Sequence, residues 1–268
     1  MFEGQSEKLE RAKAGLAKRE ALLRGELQVE GVRQLMGLKP KSEYPNIDEL
    51  PDRFFLPAEI IPRVASMTRQ QLEKGKEREC FVGFLNGKYW LSKVHKGDEE
   101  AIRDEHRDFF PKKKPDYVVL EVHTHKAPEG KLPAPSSGDI ASFLISFPHL
   151  PGVLISSDVA AWVMIKSRQS FEMPVAKNVE ERGKAHKELK AFAERSIKNF
   201  CSSRIVDLTM NWDSLFAAIL ERYGAVLYSS SPRMLMVGQT DLNPILDPKQ
   251  TVEMVRISGE THKKFLAE

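Results

Sequence analysis

The chain has 268 residues, a formal net charge of +3, 41% hydrophobic residues and 29% charged residues. That length supports one or two domains and a core that needs no covalent staples, and the composition excludes wholesale disorder. A charge so close to zero makes nucleic acid or an anionic membrane an unlikely partner, and two cysteines, Cys80 and Cys201, are too few for a disulfide framework or a four-cysteine zinc site. The opening MFEGQSEKLERAK has no apolar signal core. The longest apolar run, Val159 to Ile165, falls far short of the ~20 residues that cross a bilayer. The expectation is a soluble, cytoplasmic protein with no membrane partner.

Residues 6–37 read as a helix with Ser6 as its N-cap. Leu9, Leu16 and Leu23 repeat every seven residues, but Arg19 and Glu26 interrupt the seam. That pattern predicts a solvated helical arm or hairpin that docks one face rather than a coiled coil, with an adaptor-binding helix as the alternative. Residues 38–52 hold three prolines and read as a linker. Pro57 to Leu72 suits a helix that Pro62 either starts or kinks. Glu79 to Leu91 reads as a hairpin around Asn86-Gly87. Residues 95–116 are polar and predict an exposed insertion, with Lys112–Lys114 on a solvated loop.

Tyr117 to His125 is a strand, and residues 126–135 are a proline-rich loop. Ser136 opens a helix to about Phe147, and Gly152–Ile155 and Ala161–Lys166 are strands. Asn178–Phe200 is an amphipathic helix with Leu189, Phe192, Ala193, Ile197 and Phe200 on one stripe. Asp213–Tyr223 is another helix, stopped by Gly224. Ala225–Ser229 and Met234–Val237 predict a second hairpin. The division expected is an arm and linker over 1–51, a central domain over 52–170, and an α+β extension over 171–268.

The chemistry concentrates in His123-Thr124-His125, a ten-residue loop, and Ser136-Ser137-Gly138-Asp139. Residues i and i+2 of a strand share a face, ~6.6–7 Å apart along the chain, so two imidazoles there can converge on one ion. Ser136 suits an N-cap and Asp139 the first helical turn, which also positions the aspartate. Two histidines and one carboxylate are three ligands, the set that leaves a zinc ion an open position for catalysis. Glu121 shares the face of His123 and suits a role in orienting its ring. Cys80 should point into the core, and His95, His106, His149, His186 and His262 lack metal spacing and read as surface residues. Trp90, Trp162 and Trp212 read as core or rim packing.

With an upstream glutamate, this order resembles the signature of the JAMM/MPN (JAB domain) zinc metallopeptidases: Glu79, His123, His125, Ser136 and Asp139. The hairpin glycines Gly83 and Gly87 and the downstream LISSDVAAWVMIK strengthen the resemblance, which covers about 52–170. It implies an α/β fold, a mixed sheet flanked by helices. It also implies Zn2+ on His123, His125 and Asp139, with Glu79 as general base and Ser136 on the oxyanion. The implied reaction is hydrolysis of an amide or isopeptide bond after the C-terminus of ubiquitin or a ubiquitin-like protein. A further protein partner could engage the arm or the extension. Glu79 stands four residues before Gly83 where the family has three, a shift that turns its side chain to the opposite strand face unless a bulge, or an alignment of Glu79-Cys80-Phe81 with the E-x-F start of the RadC branch, restores it. Glu121 and Glu77 remain rival bases. Two other readings stay open, a non-catalytic MPN scaffold and a RadC-like, nucleic-acid-associated JAB protein.

Overall fold

A computed structural model describes residues 26–41, 43–96, 117–125, 135–146, 150–157, 160–172, 179–202, 212–230 and 251–267. The Lys112–Lys114 stretch, almost all of the 126–135 loop and the Met234–Val237 strand lie outside them, as do residues 1–25 of the expected arm. No helix among the described residues is long and apolar enough to cross a membrane.

Helix α1 (Glu26–Leu35) leads through a 3-10 turn to strand β1 (Arg53–Phe55) and helix α2 (Ile61–Lys74). Pro62 lies in the first turn of α2, where a missing N–H costs nothing, so it starts the helix rather than kinking it. Strands β2 (Arg78–Leu85) and β3 (Lys88–Leu91) form the expected hairpin, with Asn86 and Gly87 both at positive φ. A two-residue strand, β4 (His95–Lys96), returns to pair with the start of β2. Then come β5 (Tyr117–Thr124) and α3 (Ser137–Ala141), which widens into a π turn to Ser146. They are followed by β6 (Gly152–Ser156), β7 (Ala161–Lys166), α4 (Arg168–Glu172), α5 (Val179–Ser202), α6 (Trp212–Arg222), β8 (Ala225–Ser229) and β9 (Glu253–Ile257).

The sheet is open and runs β1-β9-β8-β7-β6-β5-β2-β3, with β4 also on β2. All of its pairings are antiparallel except β5 with β6. The fold is therefore mixed α/β with helices on both faces. One face is covered by α1 and α2 through Val32, Leu35, Ile61, Val64 and Met67, packed on Cys80, Val82, Leu120, Val122 and Leu154. The other is covered by α3, α5 and α6 through Ile140, Phe143, Leu189, Phe192 and Leu215, packed on Val153, Ile155, Trp162 and Met164.

The described end of the arm docks one face on the sheet: Val29, Val32, Leu35 and even Arg33 are buried, while Gln34 is exposed. Arg33 donates to the carbonyls of Glu43 and Lys39 and pairs with Glu49, so the segment after α1 is tied down. Burial of an apolar stripe holds such a helix in place. Among the described residues, β8 pairs with β7 and with β9, a strand the sequence pattern did not reveal. The segment after 171 thus completes the same sheet that carries β2 and β5.

Gly259 follows β9 where the chain crosses α6. A Cβ there would stand 2.2 Å from Ala218 N and 2.3 Å from Ala218 Cα, and helical backbone cannot yield that distance. Gly259→Ala should lower unfolding free energy by about 1–3 kcal/mol, the usual cost of overpacking. Urea denaturation checks it; an unchanged midpoint would contradict this close approach.

Candidate metal centre

Strand β5 and the start of α3 bring the predicted ligands together. His123 Nε2 lies 3.3 Å from Asp139 Oδ1, and His125 Nε2 lies 3.5 Å from Asp139 Oδ2. The two imidazole rings are 5.0 Å apart, centre to centre. Ligand atoms of His123, His125 and Asp139 all fall within 4.8 Å of one another. Donors ~2.0–2.1 Å from a tetrahedral ion stand ~3.3 Å apart, so this spacing fits one small cation.

Ser136 is the N-cap of α3: its Oγ accepts from the Asp139 N–H at 3.1 Å, while its own N–H donates to Asp139 Oδ2. The cap and the ligand are thus one device. It satisfies two helix-end donors and holds the carboxylate toward both imidazoles. The Ser136 hydroxyl is exposed and used as an acceptor, which leaves its O–H to donate among the described residues.

His123 is fixed from behind. Its Nδ1 lies 3.1 Å from Glu121 Oε1, as expected for a ring N–H donated to a carboxylate. Its Nε2 is buried, faces Asp139 and satisfies no hydrogen-bond geometry. A buried imidazole nitrogen aimed at a carboxylate without bonding it suits a metal. The described residues therefore contain a group that could hold a metal ion.

The electrostatics agree. Burial by itself would lower the pKa of His123, but the adjacent carboxylates of Asp139 and Glu121 hold it well above the usual value. Burial by itself would raise Asp139, but His125 and His123 hold it well below the usual carboxylate range. Without metal, a proton binds the group in the cation's place.

Glu79 lies directly opposite His123 in the β2–β5 pairing, on the same face of the sheet, and is buried. It does not belong to the ligand group. Opposite residues of an antiparallel pair have Cβ atoms ~4.5–5.5 Å apart, so its carboxylate borders the centre. Glu77, just before β2, is half-buried; burial raises its pKa, and it feels the charges of His125, His123 and Asp139. Both carboxylates thus look onto the same group. His95 is a residue the sequence reading misplaced. It is half-buried in β4 and pairs directly with Glu79, so it extends the row His95–Glu79–His123. Strand β4 has only two residues, too short for periodicity to signal it.

Cys80 is turned away as expected. It is fully buried under α2, and burial pushes its thiol up to about 12. Trp162 is core, with its indole N–H donated to Asp213 at 3.0 Å. His186 is half-buried, 3.3 Å from Ser142 Oγ, rather than free on the surface. His106 and His149 lie outside the described residues.

No protein-family model, no curated protein and no solved structure matches this chain.

Zinc added to metal-free protein near neutral pH should bind at about one ion per chain and release protons, because a proton held on His123 must leave. Calorimetry in buffers of different ionisation enthalpy reads this directly, and affinity should fall as pH falls. Asp139→Ala should abolish binding, and Glu121→Gln should weaken it by about 10–100-fold. Binding without proton release would contradict the assigned His123–Asp139 pair.

Proposed function

We propose that the protein is a zinc-dependent hydrolase of amide bonds, a JAMM-type isopeptidase acting after the C-terminus of ubiquitin or a ubiquitin-like protein. The observation that carries this reading is the convergence of His123, His125 and Asp139 with a buried glutamate, Glu79, opposite His123. Three protein ligands are the set found in catalytic rather than structural zinc sites. Zn2+ bound there would act as a Lewis acid and lower the pKa of water.

The residues of the chain divide the remaining work. Glu79 is placed to take a proton from the attacking water and return it to the leaving amine. Glu77 stands in the same field and is the competing base. The Ser136 hydroxyl, exposed beside Asp139, can donate to the oxyanion that develops on the scissile carbonyl. Glu121 holds the ring of His123. Cys80 has no part in the chemistry, because its thiol stays protonated in the core.

The ubiquitin-like substrate rests on the resemblance of the motif. A metal-free scaffold role is the second reading. It is disfavoured by the complete ligand set, since a scaffold has no need of a buried carboxylate–imidazole–carboxylate arrangement.

The test is cleavage of a panel of ubiquitin-like fusions by the zinc-loaded protein, with Glu79→Gln and Glu77→Gln side by side. Glu79→Gln should lower kcat by about 100–10,000-fold with zinc content unchanged. Glu77→Gln should leave kcat within about tenfold of wild type, the smaller loss expected of a charge outside the proton path. The reverse ranking would assign Glu77 as the base. Zinc binding without cleavage of any fusion would move the protein to the scaffold reading.

A further inference from the structure

After β3 the chain stays on the sheet and returns to the start of β2. Ser92 ties it there. Its N–H donates to the Phe81 carbonyl at 2.9 Å, and its Oγ accepts from the Phe81 N–H at 2.8 Å. The same hydroxyl donates to the Lys93 carbonyl at 2.8 Å, and Ser92 is buried. Val94 then packs against the core beneath α1 and α2. Successive residues of an extended chain point to opposite faces, so His95 is turned to the face that carries Glu79 and His123. The register agrees: His95 stands directly opposite Glu79, and Lys96 opposite Arg78. Glu79 is therefore flanked on both sides, by His123 of β5 and by His95 of β4.

Opposite residues of an antiparallel pair have Cβ atoms ~4.5–5.5 Å apart, within reach for an imidazole and a carboxylate. Glu79 is 7% exposed and His95 is half-buried. A carboxylate so far from water is costly unless it accepts hydrogen bonds. An imidazole carries a ring N–H whether it is neutral or charged, so His95 has a donor to offer in either state. The centre already contains the converse arrangement, in which the Glu121 carboxylate holds the His123 ring. A general base works only when one oxygen is aimed at the proton it takes. A donor fixed on one carboxylate oxygen fixes the direction of the other.

We propose that His95 is a positioning residue for Glu79: its ring N–H donates to the Glu79 carboxylate and holds it toward the group formed by His123, His125 and Asp139. This deepens the hydrolase reading and rests on it. Glu77 lies before β2 and outside the β2–β4 pairing, so the same support does not reach the competing base.

Two measurements on the full, zinc-loaded chain test the assignment. The first needs no substrate. In long-range proton–nitrogen spectra of histidine-labelled protein, the His95 ring should show one N–H protected from exchange with water. That signal should move in Glu79→Gln and stay in place in Glu77→Gln. A ring N–H in rapid exchange, or one unmoved by Glu79→Gln, would overturn the proposal. The second is kinetic, on a ubiquitin-like fusion that the wild type cleaves. His95→Phe should lower kcat about 10–100-fold with KM and zinc content unchanged. His95→Asn, whose amide stands in for Nδ1–H, or His95→Gln, whose amide stands in for Nε2–H, should recover most of that loss. The loss should vanish in a Glu79→Gln background and persist in Glu77→Gln, because a residue that acts through Glu79 has nothing left to act on. A loss that adds in full to that of Glu79→Gln marks a merely structural histidine and also overturns it. If no fusion is cleaved, or His95→Phe does not fold, the spectra of the wild type and Glu79→Gln still decide whether His95 holds Glu79. Failure of the hydrolase reading is thereby kept apart from failure of this one.

Discussion

The candidate metal centre depends on a one-residue irregularity in the pairing of β2 with β5. Gly83 pairs with Val118, but Val82 pairs with Leu120, so Val119 is the extra residue of a β-bulge. Val119 and Leu120 consequently both join the core beneath α1 and α2. Beyond the bulge the alternation of β5 is inverted relative to its start. Without that inversion His123 and His125 would point toward α2, while Glu79 kept the opposite face. With it, Glu79 and His123 sit opposite each other on one surface. Bulges re-aim side chains, and here the effect is the difference between a metal group and two stranded imidazoles.

Around that register the chain builds a centre in which every ligand is held by something other than the ion. Glu121 orients His123 through the ring nitrogen that a metal does not use. The N-cap of α3 orients Asp139 by hydrogen bonds in both directions. His125 is anchored at its backbone, where its N–H donates to the Ser156 carbonyl at 2.8 Å, extending the parallel pairing of β5 and β6. A site whose rotamers are fixed before the ion arrives loses less entropy on binding it. The cost is electrostatic, since Asp139 and Glu121 crowd negative charge around a buried imidazole, and a cation held there would offset it.

Strand β5 is the wall between two polar environments. Its odd residues after the bulge, Glu121 and His123, face α3 and α5 with their acidic and imidazole groups. Thr124, between the two imidazoles, turns to the other side, where its Oγ1 accepts from the Arg78 N–H and it pairs across the sheet with Ser156, which meets Thr68 under α2. Buried polar groups in such number are costly unless satisfied.

Much of this was legible in the sequence. Runs rich in apolar and β-forming residues marked β2, β5, β6, β7 and β8, the Asn86-Gly87 pair marked the first hairpin, and Gly224 marked the end of α6. The spacing of His123, His125 and Asp139 with a serine cap specified the ligand set, because strand period and helix-start chemistry are local rules. Four things were decided only by the tertiary structure. The buried docking of α1 depends on a sheet face assembled from distant strands. The β8–β9 pairing joins segments far apart in the sequence, and β4 is too short to carry a period. The bulge at Val119 is a compromise between two strands that neither states alone. Local sequence determines which side chains could make this centre, while the register between strands, set by the packing of whole layers, determines that they meet.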